Sequence, residues 1–417
     1  MNLIKQTYFL LLILMISPVF SQEYAKITSP SYIKSIVLKP LKSNAYFAII
    51  KLGETIKLSF DDINALEKIY SYKIEHCDYN WNISNLVSTE YLDGYAQDRI
   101  RNFENSFNTL QSYTHYQLQI PNQNIRIKIS GNYVISIIDE DNNIVFTRRF
   151  IVYQPKVNVG ITAHRSRDIA SINEKHNVQF VINNQNLRVN NPNEEIKVAL
   201  YQNGDWNSVI KNIKPKYIRG SQLLYNYVHE ISYWGNNEFL YFDTKDIRNA
   251  SNNIDKVRLN NIFNTFLYID VARGKKPYLF YPDVNGNFVL RTINTDNVDI
   301  EGDYSFVHFK LAYDDNFKND DIYIYGNFND WQINNENKMI FNSQTNLYEA
   351  TLLLKQGFYN YTYVGVGNNM KINTHEIEGS YYQTENDYTL IVYYKKFGEL
   401  YDQVIGVGTA NSKILQN

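Results

Sequence analysis

Beyond position 36 the chain sets short runs of apolar, β-branched and aromatic residues between polar turns, and no sustained 3.6-residue period appears outside 63–70. That pattern predicts strands. In the first stretch the runs are 46–50, 55–60, 70–75, 113–120, 133–138 and 144–153, the last two joined across the acidic and amide segment 139–143. Its carboxylates and amides have the look of a calcium loop. Residues that tolerate a left-handed backbone equally make a hairpin turn, which is the reading adopted. Gln154 and Pro155 then interrupt the run, because proline cannot donate to a central strand ladder.

A second series opens at Lys156, with runs at 157–162, 177–182, 195–202, 223–233, 237–242, 263–271 and 278–281. A polar stretch at 292–303 separates it from a third series with runs at 306–312, 322–326, 348–354, 359–366 and 388–394. The expected fold class is all-β, a tandem array of immunoglobulin-like or fibronectin-like β-sandwich domains. The expected boundaries are an N-terminal sandwich at 22–155, a middle β-rich domain at 156–300 and a C-terminal sandwich at 301–417. No exact internal repeat is visible, so the domains would be related by architecture rather than by duplication.

Residues 1–21 break the rhythm. Lys5 precedes an apolar run at 8–16, and Val19 and Ser21 place small residues at the positions that a cut before Gln22 requires. This is the layout of a secretory signal peptide. A membrane anchor is the other reading, but the run falls short of the roughly 20 apolar residues needed to span a bilayer, and no cysteine follows for lipid attachment. The mature chain is expected to be exported, soluble and without a transmembrane segment.

Composition narrows the chemistry. Among 417 residues, 41 Lys and Arg face 43 Asp and Glu, so the net charge of −2 lacks the cationic excess that phosphate backbones reward, and nucleic acid is not an expected partner. The lone Cys77 can close no disulfide within the chain and build no thiolate cage for zinc. The core must therefore stand on apolar burial, for which 36 Tyr and 22 Phe supply strand-favouring material. None of the seven His has an i, i+2 or i, i+4 partner, so no metal site is legible. His76, Cys77 and Asp78 adjoin, but neighbours on a strand point to opposite faces, and a buried structural cysteine is the better account. The chain contains no nucleophile elbow, phosphate loop or dinucleotide fingerprint. No catalytic residue, cofactor or metal is expected.

In the third series, Gly326, Asn327, Phe328, Asn329, Asp330 and Trp331 lead to a strand run, and Gly357, Phe358, Tyr359, Asn360 and Tyr361 follow. This stretch resembles the glycogen-binding module of the AMP-activated protein kinase regulatory subunit and of starch-branching enzymes. The resemblance implies an early-set immunoglobulin-like sandwich and a role for Trp331 in stacking on a sugar ring. The sequence departs from those modules after position 366, where Gly367, Asn368, Asn369 and Met370 replace a second tryptophan. Trp331 is thus either a glycan-stacking residue or a structural corner.

The first two series hold a further set of strings: 72–81 (YKIEHCDYNW), 90–95 (EYLDGY), 106–109 (SFNT), 113–116 (YTHY), 130–133 (SGNY) and 148–150 (RRF), then 175–180 (KHNVQF), 202–206 (QNGDW) and 237–239 (NEF). In this order and spacing the chain, from about Ser29 onward, resembles the plug protein of the type IX secretion system of the Bacteroidota. The resemblance implies a periplasmic, non-catalytic protein on the inner side of the outer membrane, whose partner is the outer-membrane translocon barrel and whose action is to close its pore. The aromatics of the loop-like stretch 81–95, Trp81, Tyr91 and Tyr95, are the candidate partner contacts, since loops on a rigid scaffold tend to carry function. A periplasmic or surface carbohydrate-binding protein, built on Trp331, is the alternative. A cell-surface adhesin is a third class, disfavoured because the C-terminal series does not look like a sorting domain.

Overall fold

The computed structural model describes residues 27–43, 45–313, 320–368 and 370–414. The signal-peptide reading at 1–21 lies outside them. Strands dominate the described residues, and helices are single turns such as Ser88–Tyr91 and Val298–Glu301. The architecture is all-β, as the residue pattern predicted.

The first sandwich packs two sheets. One is ordered Ile33–Pro40, Ile56–Asp62, Thr114–Ile120, Asn102–Asn105; the other Ile49–Lys51, Ile144–Tyr153, Gly131–Ile138, Ser71–Cys77, Gln97–Arg99. Between them lies a core that includes Phe60, Tyr70, Tyr116, Tyr133, Phe146 and Phe150. Gly131–Ile138 is buried at all eight positions. Its sequence GNYVISII shows no polar alternation because both faces are covered: Ile135 and Ile137 enter this core, while Val134 packs against the second sandwich.

The second sandwich sets Asn158–Arg165, Lys175–Asn183, Gln222–Tyr225 and Tyr217–Arg219 against a sheet ordered Ile210–Lys211, Ile196–Gln202, Asp387–Tyr394, Gln403–Asn411. Half of this second sheet comes from the C-terminal end. Ile196 pairs with Tyr394 and Gln202 with Tyr388. Between the two contributions the chain makes a third sandwich, with Leu240–Asp243, Gly357–Val366 and Phe288–Leu290 in one sheet and Ile254–Leu259, Phe263–Leu267, Tyr304–Ala312, Leu347–Lys355 and Ile340–Asn342 in the other.

This corrects the expected division at residue 300. Phe263–Leu267, before that boundary, pairs with Tyr304–Ala312 after it, so 300 cuts through a sandwich. The strand Asp387–Tyr394, assigned from sequence to the C-terminal domain, belongs to the second sandwich. Alternation along a strand tells which faces are apolar but not which distant strand will cover its edge. The third sandwich is an insertion in the second, entered and left through two crossings near 235–239 and 379–386.

Candidate functional site

All three sandwiches are braced against one another. First to second, a shared apolar layer joins Cys77, Tyr79, Trp81, Val134 and Ile151 to Tyr201, Ile391, Tyr393 and Val404. Its polar rim is satisfied: the Tyr79 hydroxyl donates to the Val198 carbonyl at 2.7 Å and the Tyr393 hydroxyl to Asn132 Oδ1 at 2.9 Å. Second to inserted, the Tyr325 hydroxyl donates to Asp205 Oδ2 at 2.7 Å, and Asn207 Nδ2 donates to the Trp331 carbonyl at 2.7 Å.

First to inserted, the contact is an ionic lock. Asp61, on Ile56–Asp62, accepts from Lys355 Nζ at 2.7 Å and from the Tyr304 hydroxyl at 2.6 Å, and meets His115 Nδ1 at 2.5 Å. Lys355 also donates to the Asp299 carbonyl at 2.7 Å and lies 4.1 Å from the Tyr113 ring centre. Both members of the Asp61 and Lys355 pair are fully buried. Burial opposes the charge on Asp61, but Lys355 and His115 outweigh it and hold the carboxyl below its ordinary range. The loop before Thr114–Ile120 completes the contact, with the Leu110 amide donating to Asp303 Oδ2 at 3.0 Å and the Tyr113 hydroxyl to the Gly302 carbonyl at 2.9 Å.

A second polar cluster clamps the two crossings. Arg273 donates through Nε to Glu378 Oε2 at 2.5 Å, through its second terminal nitrogen to the Glu238 carbonyl at 2.8 Å, and also to the Tyr281 hydroxyl. Tyr278 donates to the Glu238 carboxylate. Carboxylates outnumber the single guanidinium here. Burial, with the neighbouring Asp283 and Glu385, pushes Glu238 up to about 7, and burial pushes Asp283 up to about 6.

The residues singled out from sequence divide sharply. Trp81 is 1% exposed, holds a left-handed backbone (φ +69°), and packs edge-on to Trp206 at 5.3 Å beneath the guanidinium of Arg149. Tyr91 is 7% exposed and belongs to the first core, its hydroxyl donating to the Ile74 carbonyl at 3.3 Å. Neither can meet a partner directly, which corrects their assignment as contacts: the 81–95 stretch is loop-like in sequence but tucks its aromatics inward. Tyr95 alone of the three stands out, 68% exposed beside the turn glycine Gly94 (φ +106°). Trp331 is 3% exposed, held by Tyr325 at 5.1 Å and Phe239 at 6.0 Å, with both it and Asp330 in the left-handed region. It lines a cavity of about 330 Å³ between the second and inserted sandwiches, and offers no open ring face to a sugar at the surface.

Nucleophile chemistry finds little support. Burial pushes the Cys77 thiol up to about 12 and pulls His76 down to about 4, leaving a neutral thiol and a neutral ring on opposite faces of one strand at pH 7. Among the described residues no group of three or more His, Cys, Asp or Glu side chains could hold a metal.

The chain over residues 33–154, the whole first sandwich, matches the family described as Type 9 secretion system plug protein 1st domain. The crystal structure of a hypothetical protein from Parabacteroides merdae is 31% identical, with 94% of this chain and 100% of that one covered at a TM-score of 0.90. Over its first sandwich the chain carries the first domain of the type 9 secretion system plug family. Likeness to the Pseudomonas fluorescens alkylpurine DNA glycosylase AlkC bound to abasic-site DNA is slight, at 15% identity over 29% of each chain and a TM-score of 0.17. That to trypsin-activated alpha-2-macroglobulin from Escherichia coli, at 8% identity, 94% of this chain, 24% of that one and a TM-score of 0.18, is equally slight, and neither carries an argument. No curated protein matches the chain.

The match to the plug family's first domain points to a role in the type IX secretion system and an association with the cell envelope. Among the described residues no helix is long and apolar enough to cross a membrane. The strings that carried the sequence resemblance lie largely at junctions. The segment 72–81 runs from the first core into the layer shared with the second sandwich, and 202–206 makes the turn whose Asp205 and Trp206 reach the other two. Sequence reasoning missed the Asp61 lock and the Arg273 clamp. The lock's one signal was a charge near the C-terminal end of a strand, Asp61 in IKLSFDD and Lys355 in LYEATLLLK.

Proposed function

We propose that this protein is a periplasmic, non-catalytic gate that docks on the outer-membrane translocon barrel of the type IX secretion system and closes its pore while no substrate is in transit. The match of the first sandwich to the plug family carries this reading. The physics of the task supports it. A barrel wide enough to pass folded cargo has an aqueous lumen that its own side chains cannot fill, so closure takes a stiff body. Three sandwiches joined by one apolar layer, a buried ionic lock and a hinge clamp make such a body. An interface of standard size buries about 1,600 Å², and Tyr95, exposed on a braced turn, is the contact candidate from the 81–95 stretch. Affinity purification of the tagged protein from envelopes is expected to recover an outer-membrane barrel of very high mass. Repeated preparations that recover none would refute the docking.

A further inference from the structure

Arg148, on Ile144–Tyr153, takes no part in the lock or the clamp. Its side chain is nine-tenths buried. A guanidinium carries five N–H donors. Here one terminal nitrogen donates to the Thr147 carbonyl at 2.9 Å, the Phe146 ring centre lies 5.2 Å away, and the Asp330 carboxylate stands at 3.8 Å, beyond hydrogen-bonding distance. Burial pulls its pKa below the ordinary value and Asp330 offsets this only in part. A buried charge compensated so thinly is costly unless something else engages its remaining donors.

The same side chain faces two cavities where the sandwiches meet, one of about 90 Å³ and one of about 320 Å³. The larger takes walls from all three sandwiches. Its charged lining is Lys39, Lys57, Arg148 and Arg149 against Asp299 and Asp330, four cations to two carboxylates. Asp299 is already occupied by Lys57 at 3.5 Å and by Gln117 Nε2 at 3.0 Å. Lys39 has no ionic partner among the described residues. Phe47, Trp206, Phe288 and Leu290 supply apolar lining to the same cavity. A recess at a domain junction that sets convergent charged groups beside aromatic and aliphatic side chains, at the lower end of the usual ligand-pocket range of about 300–1,000 Å³, has the makings of a small-molecule site. The excess of one sign of charge within low-dielectric walls concentrates its field on an anion.

We propose that this junction cavity binds a small amphipathic oxyanion, its phosphate or carboxylate head engaging Arg148 and Lys39 and its apolar body lying against Phe47, Trp206 and Phe288. A guanidinium suits such a head because its planar donors match two oxygens at once. Since all three sandwiches contribute walls, a ligand there binds only the assembled junction and stabilises it by mass action.

The test uses the whole mature protein with phenyl phosphate, benzoate and inorganic phosphate as probes, followed by titration calorimetry and thermal unfolding. Saturable heat with phenyl phosphate or benzoate, a melting temperature that climbs with its concentration, and weaker binding of inorganic phosphate are expected. Arg148→Ala should raise the dissociation constant at least tenfold. If that protein fails to fold, Lys39→Glu, at an exposed position, should raise it several-fold with the ligand-free melting temperature unchanged. No saturable heat with either organic probe, a thermal shift equal to that of sodium chloride at matched ionic strength, or binding indifferent to the substitutions that fold would each overturn the proposal.

Discussion

Asp61 and Lys355 lie 294 positions apart in the chain and meet at 2.7 Å with neither side chain exposed. One stands on the second strand in the order of its sheet, the other at the end of Leu347–Lys355 in the inserted sandwich, and their contact fixes how those two bodies sit. Desolvating both charges is expensive, and the arrangement survives because His115, Tyr304 and the Asp299 carbonyl satisfy what the pair leaves over. Breaking one side of such a pair costs about 3–5 kcal/mol, whereas replacing both by apolar or neutral groups of similar volume costs far less. Lys355→Met is therefore expected to lower the denaturant midpoint strongly, and Asp61→Asn with Lys355→Met to recover more than half of the loss. Equilibrium unfolding of the parent and the two variants measures it, and a Lys355→Met protein as stable as the parent would remove the lock from the account.

The same pair sets a behaviour in acid. The Asp61 carboxyl is held below its ordinary value, so the folded state binds its proton less readily than the unfolded chain does. Its stabilisation is present above the unfolded pKa of about 4 and is lost as pH falls through the depressed folded value. Unfolding followed from pH 6 downward should show a loss that Asp61→Asn no longer shows.

The clamp at the two crossings has the opposite sign. Glu238, raised to about 7 by burial and by Asp283 and Glu385, and Asp283, raised to about 6, hold protons in the folded state that the unfolded chain has already released. Their contribution is favourable below about pH 4 and is lost as pH rises toward 7. Glu238→Gln keeps an acceptor for Tyr278 and removes the titration. Its melting temperature at pH 8 should exceed that of the parent and change less between pH 5 and 8; an identical pH profile would mean that Glu238 stays ionised.

Much of this fold could be read from the residues, and the reason is local. Strands such as Ile56–Asp62 and Gly131–Ile138 announce themselves through β-branched and aromatic runs bounded by turns. What stayed hidden was pairing between distant segments. Nothing in Asp387–Tyr394 says that its edge partner is Ile196–Gln202, so sequence alone reads the insertion as a third domain in series. The site residues failed for a related reason. Trp81 sits in a polar stretch, between Asn80 and Asn82, yet the second sandwich lies over it, and burial by another domain leaves no mark on the buried residue's own neighbours.

That difference between Tyr95 and its two companions is measurable. Tyr91→Ala and Trp81→Ala remove aromatic side chains from packed interiors, for which the cost is about 3–5 kcal/mol. Tyr95→Ala, at an exposed turn, should change stability by no more than about 0.5 kcal/mol while reducing recovery of the translocon barrel in affinity purification. Unchanged recovery would move the docking surface away from this turn.

Gly286 and Trp331 carry the last prediction. Gly286 holds a left-handed backbone (φ +78°), and a Cβ at this position would overlap the Trp331 indole and come within 2.7 Å of Phe239. An L side chain in that conformation already costs about 1–2 kcal/mol, and the overlap with the two rings adds to it. Gly286→Ala is expected to destabilise by more than 2 kcal/mol on this basis, and Trp331→Phe, a smaller ring, to relieve the overlap part without the backbone part. A double-mutant cycle isolates the two. If Trp331 is a structural corner, maltooligosaccharides will give no heat with the parent protein, and its replacement by Ala will appear as a loss of stability of about 3–5 kcal/mol. Heat with the parent that vanishes in Trp331→Ala, while unfolding stays the same, would instead mark the indole as a sugar platform.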